Sequence, residues 1–436
     1  IVFRGEQDFS GIASVTINVN DLGNSPGPIM QQSTQVIDIQ VLAVNDAPTF
    51  TIVQPILPPI SEDAGLQNVQ LISLANVTRG PATATDEAGQ AISFLLSRVP
   101  GAGDLAFSVS PTINPATGVL SYAPSANSNG RAVFDVAVMD SGGVANGGVD
   151  TSAPIRITIT VNAVNDAPRF TKGANQQIDE DALDPQDNTR LHTVEGWATG
   201  ISRGPLSATD ETNQTLQFSV VPVSTGLQIG NLSFVSPPAI DPLTGNLTYE
   251  TTPDTNGVRV FRVTLQDSGS GIFPNVNMSQ TETLTISVAA VNDPPSFTIA
   301  GTSQTIIEDA QFQMVTGFVT NISRGPAAPS DEDGQALTFN VTTVVAGTTT
   351  DAASAFLHFP EVSPLTGTLT YQLAPDVNGS FEVTLELDDS GTGAAFPPNN
   401  DKSPKQKFTI TANAINDAPS FQLVDQNSAT PGVVDI

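Results

Sequence analysis

Cysteine is absent from all 436 residues, which excludes disulfide staples, thiol nucleophiles and zinc sites built on sulfur. Stability must come from packing or from metal held by oxygen. Positive charge is scarce: 15 Lys and Arg stand against 44 Asp and Glu, a formal charge of −29. Ligands with a phosphate backbone need clustered cations, so nucleic acid is excluded as a partner. No apolar run approaches the roughly 18 residues that cross a bilayer, so this segment carries no membrane span. No amphipathic helix stands out either. What remains is rich in Thr, Val, Ser, Gly and Pro, with short alternating apolar runs separated by turn dipeptides, the pattern of an all-β sandwich.

One pentapeptide returns four times: Val44-Asn45-Asp46-Ala47-Pro48, then Val164 to Pro168, Val291 to Pro295 and, with Ile for Val, Ile415 to Pro419. Its Asn residues lie 120, 127 and 124 positions apart, a domain length rather than the short period of a solenoid. The chain reads as a tandem array: the C-terminal part of a repeat (1–45), three full repeats (46–165, 166–292 and 293–416) and the start of another (417–436). It lacks an initiator Met and stops inside a unit, so a segment of a longer polypeptide is expected.

Just before each marker, alternate residues are apolar: Ile37, Ile39, Val41; Ile157, Ile159, Val161; Leu284, Ile286, Val288; Phe408, Ile410, Ala412. A period of two with one apolar face predicts a strand half-buried against a second sheet. Upstream lies a second such strand, with Phe134, Val136 and Val138 and its equivalents Phe261, Val263, Leu265 and Val383, Leu385, Leu387. The same parity reaches Asp140, Asp267 and Asp389, and in the first partial repeat Val15, Ile17 and Val19 lead to Asp21. Acids in phase with a buried face, where the strand ends, are expected at the pole of the sandwich. Pro115 to Tyr122, Pro242 to Tyr249 and Pro364 to Tyr371 share a Pro-x-Thr-Gly-x-Leu-x-Tyr pattern, a turn followed by a strand. Its three tyrosines and the single Trp197, which aligns with Phe318, are expected in the core.

Four acidic elements recur in order. They are the marker's Asn-Asp; Glu62-Asp63, Glu180-Asp181 and Glu308-Asp309; Asp86-Glu87, Asp210-Glu211 and Asp331-Glu332-Asp333; and the strand-end Asp140, Asp267 and Asp389. Converging carboxylates repel unless a cation neutralises them, and Ca²⁺ takes six to eight such oxygens. The plainer reading makes these pairs ordinary turn formers, with Arg79, Arg203 and Arg324 pairing the acids that follow them.

At these motifs the chain resembles the cadherin-like repeats found in tandem on bacterial surface proteins. Asn-Asp-Ala-Pro-x-Phe, read through Phe50, Phe170, Phe297 and Phe421, is similar to the cadherin linker; Glu-Asp-Ala, Thr-Asp-Glu-x-Gly and Asp-Ser-Gly resemble the family's early glutamate, Asp-x-Asp element and late aspartate. The resemblance covers all three full repeats and both partial ends. It implies tandem Ig/cadherin-like Greek-key β-sandwich domains with Ca²⁺ bound between successive repeats. At 165–166 the implied ligands are Glu62, Asn165, Asp166, Asp210 and Asp267. At 292–293 they are Glu180, Asn292, Asp293, Asp331, Asp333 and Asp389. At 45–46 they are Asn45 and Asp46 with Asp86 and Asp140, and at 416–417 Glu308, Asn416 and Asp417. The chain departs from the family pattern where Ala43, Ala163, Ala290 and Ala414 replace the linker's leading Asp, where only the third repeat has a true Asp-x-Asp, and where the mid-domain Asp-x-Glu is missing near Asn127, Asp254 and Asp376. One or two ions per junction are expected, best at 292–293.

Catalysis is not expected. Asp-Ser-Gly at 140, 267 and 389 looks like a protease signature, yet His192 and His358 occupy non-equivalent places, and the three acids lie a domain apart in sequence. The sequons at Asn76, Asn246, Asn321 and Asn378 matter only in a host that glycosylates. The resemblance implies an extracellular, cell-surface structural segment, a stalk, adhesin shaft or filament, each repeat adding roughly 40 Å. Its expected partners are calcium ions, neighbouring repeats and further copies of the chain. The alternative is an adhesion module recognising a glycan or protein through the long loops Gly142 to Pro154 and Gly269 to Gln280.

Overall fold

A computed structural model describes residues 2–22, 27, 29, 31–224, 228–326, 331–391 and 400–420. Phe421 and the rest of the final partial repeat lie outside the described residues. All the extended elements are β-strands, joined by loops and 3-10 turns of three or four residues. The chain falls into two compact units whose boundary runs through the second repeat. The first holds the chain up to Lys172 with Ala198–Ser219 and Thr264–Thr281; the second holds Gly173–Trp197, Val220–Val263 and everything from Glu282 onward.

In the first unit a four-stranded sheet has the order Ile60–Ser61, Ile155–Asn162, Gly130–Asp140, Ile92–Arg98. The short first strand runs parallel to its neighbour and the others are antiparallel. Gln67–Gln70, Val119–Pro124 and Phe107–Ile113 form a three-stranded sheet. The alternation read from the sequence places Phe134, Val136, Val138, Ile157, Ile159 and Val161 in one core with Leu120 and Tyr122 of the second sheet. Two apolar faces are thereby withdrawn from water together, at about 25 cal/mol per Å². The strand pair Gly11–Asn20 and Gln32–Val41 shows the same alternation without the burial. Val19 is 61% and Ile37 47% exposed, because no second sheet covers this pair among the described residues.

The second unit repeats the plan. Ser303–Ile307, Gln406–Asn413, Gly379–Asp389 and Leu337–Val345 form one sheet; Gln313–Val315, Leu369–Leu373 and Phe356–Val362 form the other. Their shared core contains Val383, Leu385, Leu387, Phe408, Ile410 and Tyr371. In the second repeat, Gln176–Asp179 pairs in parallel with Glu282–Ala289, and Leu191–Val194, Leu247–Thr251 and Phe234–Ile240 form the three-stranded sheet. All three tyrosines are 1% exposed, and Trp197 and Phe318 are buried as expected.

The Pro-x-Thr-Gly turn explains its own glycine. Asn114 Oδ1 accepts the Ala116 N–H at 2.9 Å, Asp241 Oδ1 accepts those of Leu243 and Thr244, and Gly118, Gly245 and Gly367 then take φ of 73°, 72° and 65°. A Cβ on Gly118 would also stand 2.1 Å from the Ile72 carbonyl oxygen. Gly101 shares the left-handed φ, 68°, with open space around it. Gly101→Ala is therefore expected to cost about 1 kcal/mol of backbone strain. Gly118→Ala should cost roughly 2–3 kcal/mol, since a carbonyl must also move. Denaturant unfolding of the two variants compares them, and equal losses would contradict the close-approach argument.

Candidate metal centre

The linker's backbone donors organise the acids. Glu62 is 4% exposed, and its Oε1 accepts the Val164 N–H at 2.5 Å while Asn129 Nδ2 reaches Oε2 at 3.1 Å. Glu180 takes the Val291 N–H at 2.5 Å and Glu308 that of Ile415 at 2.7 Å, with Asn256 and Asn378 in the place of Asn129. Glu87 Oε1 accepts the Asp46 N–H at 2.6 Å, Glu211 that of Asp166, and Glu332 that of Asp293 at 3.4 Å. The linkers at 165–166 and 292–293 thus each lie between two buried glutamates. A buried N–H must find an acceptor, and these carboxylates supply it.

A second layer closes around the linker aspartate. One carboxylate oxygen each of Asp181, Asp254 and Asp293 lies within 4.8 Å of the other two, and the same holds for Asp309, Asp376 and Asp417 and for Glu180, Asp331 and Glu332. At the equivalent place in the first repeat stand Asp63, Asn127 and Asp166. One end of the Asn127 amide is 3.1 Å from Asp166 Oδ2 and 3.2 Å from Asp63 Oδ2. Nitrogen inward, the amide donates to both carboxylates; oxygen inward, it completes a three-oxygen set for a cation. Six of these residues are held left-handed, with φ of 60°, 59° and 61° at Asp63, Asp181 and Asp309 and 53°, 55° and 61° at Asn127, Asp254 and Asp376. Asp and Asn tolerate that conformation best among residues with a Cβ.

Of the residues nominated from sequence, the structure brings Asp166, Asp293 and Asp417 into these triads and Glu180 and Asp331 into the inner cluster. Glu62 and Glu308 hold backbone N–H groups. Asp86 is exposed and accepts from Ser10 Oγ at 2.9 Å, Asp210 is exposed, and Asp333 is exposed outside every cluster. Asn45, Asn165 and Asn292 instead donate to Asp140, Asp267 and Asp389 at 2.9, 3.1 and 3.2 Å. Exposed Asn416 reaches the Asp417 carbonyl at 3.4 Å. The sequence reading missed Asp63, Asp181, Asp309, Asn127, Asp254, Asp376 and the buried Glu87, Glu211 and Glu332. For Asp63, Asp181, Asp309, Glu87, Glu211 and Glu332 the signal was present as the second member of each Glu-Asp and Asp-Glu pair, whereas Asn127, Asp254 and Asp376 stand in no such pair. Arg79, Arg203 and Arg324 do not pair the acids that follow: each Nε donates to the carbonyl of Gln90, Gln214 or Gln335.

This crowding favours protons. Burial, with Asp331 and Glu332 nearby, raises Glu180 to about 7; burial beside Asp166, Asp210 and Asp267 does the same for Glu211, and burial beside Asp181 and Asp254 raises Asp293 to about 6. Glu62, Glu87 and Asp166 are also raised, chiefly by burial. Asp181 differs: burial pushes it up, but Arg190, whose Nη1 stands 2.7 Å from Oδ1, and hydrogen bonds from Asp254 together lower its value. The triads on Asp293 and Asp417 offer carboxylate oxygen alone, which suits a hard divalent cation.

These shifts fix a sign. A carboxyl raised in the folded state stabilises fully below its unfolded value of about 4.5, and that stability is lost as pH rises through about 7. Carboxyls held low by backbone donors, such as Asp184 and Asp241, act in the opposite sense, but only below about pH 4. In chelator, the thermal midpoint is therefore expected to fall between about pH 5 and pH 7. A midpoint that climbs across that interval would contradict the crowding of charge.

No known protein-family profile matches the chain, and no curated protein sequence does. Among solved structures, it is similar to mouse protocadherin-24 EC1-3 at 14% identity over 85% of this chain and 100% of that one, TM-score 0.34. Human CDH23 EC21-23 gives 12% identity over 83% and 100%, TM-score 0.32, and extracellular domains 3-5 of Drosophila OTK give 13% over 86% and 100%, TM-score 0.22. These neighbours are cadherin-like and other extracellular repeats of animals.

Proposed function

We propose that the chain is a structural segment of an extracellular repeat protein, a stalk, adhesin shaft or surface filament, whose linkers are stiffened by calcium. The repeats 46–165, 166–292 and 293–416 are its working units. The observation that carries this reading is the recurrence of one carboxylate triad on the linker aspartates Asp293 and Asp417, with the Asn127 amide in the place of the third carboxylate beside Asp63 and Asp166. Asp63, Asn127 and Asp166, then Asp181, Asp254 and Asp293, then Asp309, Asp376 and Asp417 would hold the ion, with Glu180, Asp331 and Glu332 adjoining the second. Bound there, it supplies the positive charge that lets these groups stay ionised together. The residues do the rest: the left-handed aspartates present their carboxylates from the preceding repeat, the linker aspartate presents its own, and the glutamates fix the chain direction through Val164 and Val291 N–H.

A second reading has one observation in its favour. The loop near Gly269 carries Ile272 at 80% and Phe273 at 93% exposed, an apolar tip of the kind that docks on a glycan or protein. A glycan array on the intact chain separates the readings, since specific retention would favour the adhesion module. We infer that the protein is bacterial and stands at the cell surface.

Small-angle scattering of the full chain, with calcium and then with chelator, tests the shaft: the maximum dimension should change, and an invariant value would sink it. Asp254→Asn keeps shape and removes one charge, and is expected to weaken calcium binding at 292–293 on the order of tenfold by calorimetry. An unchanged affinity would remove the triad from the site.

A further inference from the structure

The two sides of each linker are built from different chemistry. Toward the preceding repeat, the contacts are carboxylates facing one another and one carboxylate on a single N–H. Toward the following repeat, Glu87, Glu211 or Glu332 also accepts one linker N–H, but the remaining contacts centre on an asparagine amide. Asn165 Nδ2 donates to Asp267 Oδ1 at 3.1 Å and to the Val276 carbonyl at 2.7 Å. Its N–H reaches Asn275 Oδ1 at 2.8 Å, and its carbonyl accepts the Val276 N–H at 2.8 Å. With both acceptors on the nitrogen, Asn165 Oδ1 must face Gln214, whose Nε2 donates to it at 2.5 Å.

The same set recurs. Asn45 bonds Asp140, the Val149 carbonyl and Gln90 Nε2 at 2.9, 2.8 and 2.6 Å. Asn292 bonds Asp389, the Asn400 carbonyl and Gln335 Nε2 at 3.2, 2.9 and 2.6 Å. Each glutamine is pinned by its own N–H on the carbonyl of Glu87, Glu211 or Glu332 and by an arginine on its carbonyl. The Asp-Ser-Gly motif is the other jaw. The Asp takes the Asn amide and the N–H of Gly142, Gly269 or Gly391 at 2.8–2.9 Å. The Ser hydroxyl accepts the N–H of Ala91, Thr215 or Ala336. A Cβ on the Gly would stand 1.7, 1.8 or 1.5 Å from the Asn oxygen.

We infer that Gln90, Gln214 and Gln335 close a metal-independent amide clasp that fastens the linkers at 45–46, 165–166 and 292–293 to the repeat that follows each, so that an ion on the carboxylate triads governs the attachment to the repeat that precedes it. Every bond in the clasp has an N–H donor, and none requires a cation. The joint is therefore a one-sided hinge: without the ion the linker leaves with its downstream repeat. The inference about sidedness rests on the proposed ion site, while the clasp itself does not.

Buried Oε1 atoms of Gln90, Gln214 and Gln335, with Asp140 and Asp267 Oδ2 and Glu87 and Glu211 Oε2, have no protein donor. An ion on these oxygens would make the glutamine a ligand, which is the competing outcome. Two variants separate them. Gln214→Ala removes the donor and the spare oxygen; Gly269→Ala wedges the clasp open and removes no oxygen. Native mass spectrometry counts calcium on the full chain, and hydrogen exchange with residue-level fragmentation reads Val164 N–H on the upstream side and Val276 N–H in the clasp. Chelation is expected to speed exchange at Val164 by at least about tenfold and at Val276 by less than about twofold. Both variants should speed Val276 by about tenfold with or without calcium, with the ion count unchanged. Val276 following Val164 on chelation, or an ion lost in Gln214→Ala, overturns the clasp. Deprotected Val276 in both variants with a calcium-insensitive Val164 would support the clasp and reject the ion site.

Discussion

Buried backbone donors at the linkers set the terms for everything around them. Val164, Val291 and Ile415 N–H, and Asp46 and Asp166 N–H beyond them, sit where no strand partner reaches, and carboxylates accept them. Satisfying one group this way creates the next problem, because each glutamate is desolvated beside other acids. Two carboxylates about 4.8 Å apart repel by roughly 3–4 kcal/mol at an effective dielectric of about 20. A proton or a cation relieves this, and the values near 7 at Glu180 and Glu211 show the proton's claim. The acidity of the chain, diffuse in composition, is concentrated by geometry at the points where repeats join.

The sandwiches were legible from period-two alternation because it is a local consequence of strand geometry, and the in-phase acids Asp140 and Asp267 do end buried strands, 3% and 4% exposed. The acidic clusters were legible only to the level of pairs. Whether Glu62 or Asp63 faces the linker aspartate depends on a left-handed turn at Asp63, a backbone choice that Asp permits but does not announce. Asn127, Asp254 and Asp376 were set aside because they lack the expected acidic pattern, yet they lie 64, 73 and 67 residues from the aspartates they join. Asp333 read well as half of an Asp-x-Asp and is exposed, because the short turn at Asp331–Gly334 buries Glu332 instead.

Asp-Ser-Gly shows how a motif misleads when its neighbours in space are unknown. As a string it looks like a catalytic signature. In the fold its carboxylate holds an asparagine amide, its hydroxyl takes a backbone N–H, and its glycine clears room for the asparagine oxygen. Each residue thus makes a structural contact in the fold.

The three triads also differ in charge, which bears on how uniform the joints can be. The first joins two carboxylates to the Asn127 amide, and the second joins three to Arg190, so each carries a formal charge of about −2 when ionised. The third joins three exposed carboxylates. In the second, the guanidinium occupies one oxygen of Asp181 that a cation would otherwise share, and Asp181 is held low. A salt bridge with both partners about one-third exposed is worth little by itself. Its effect lies in competition: Arg190 offers the 292–293 triad a positive charge of its own.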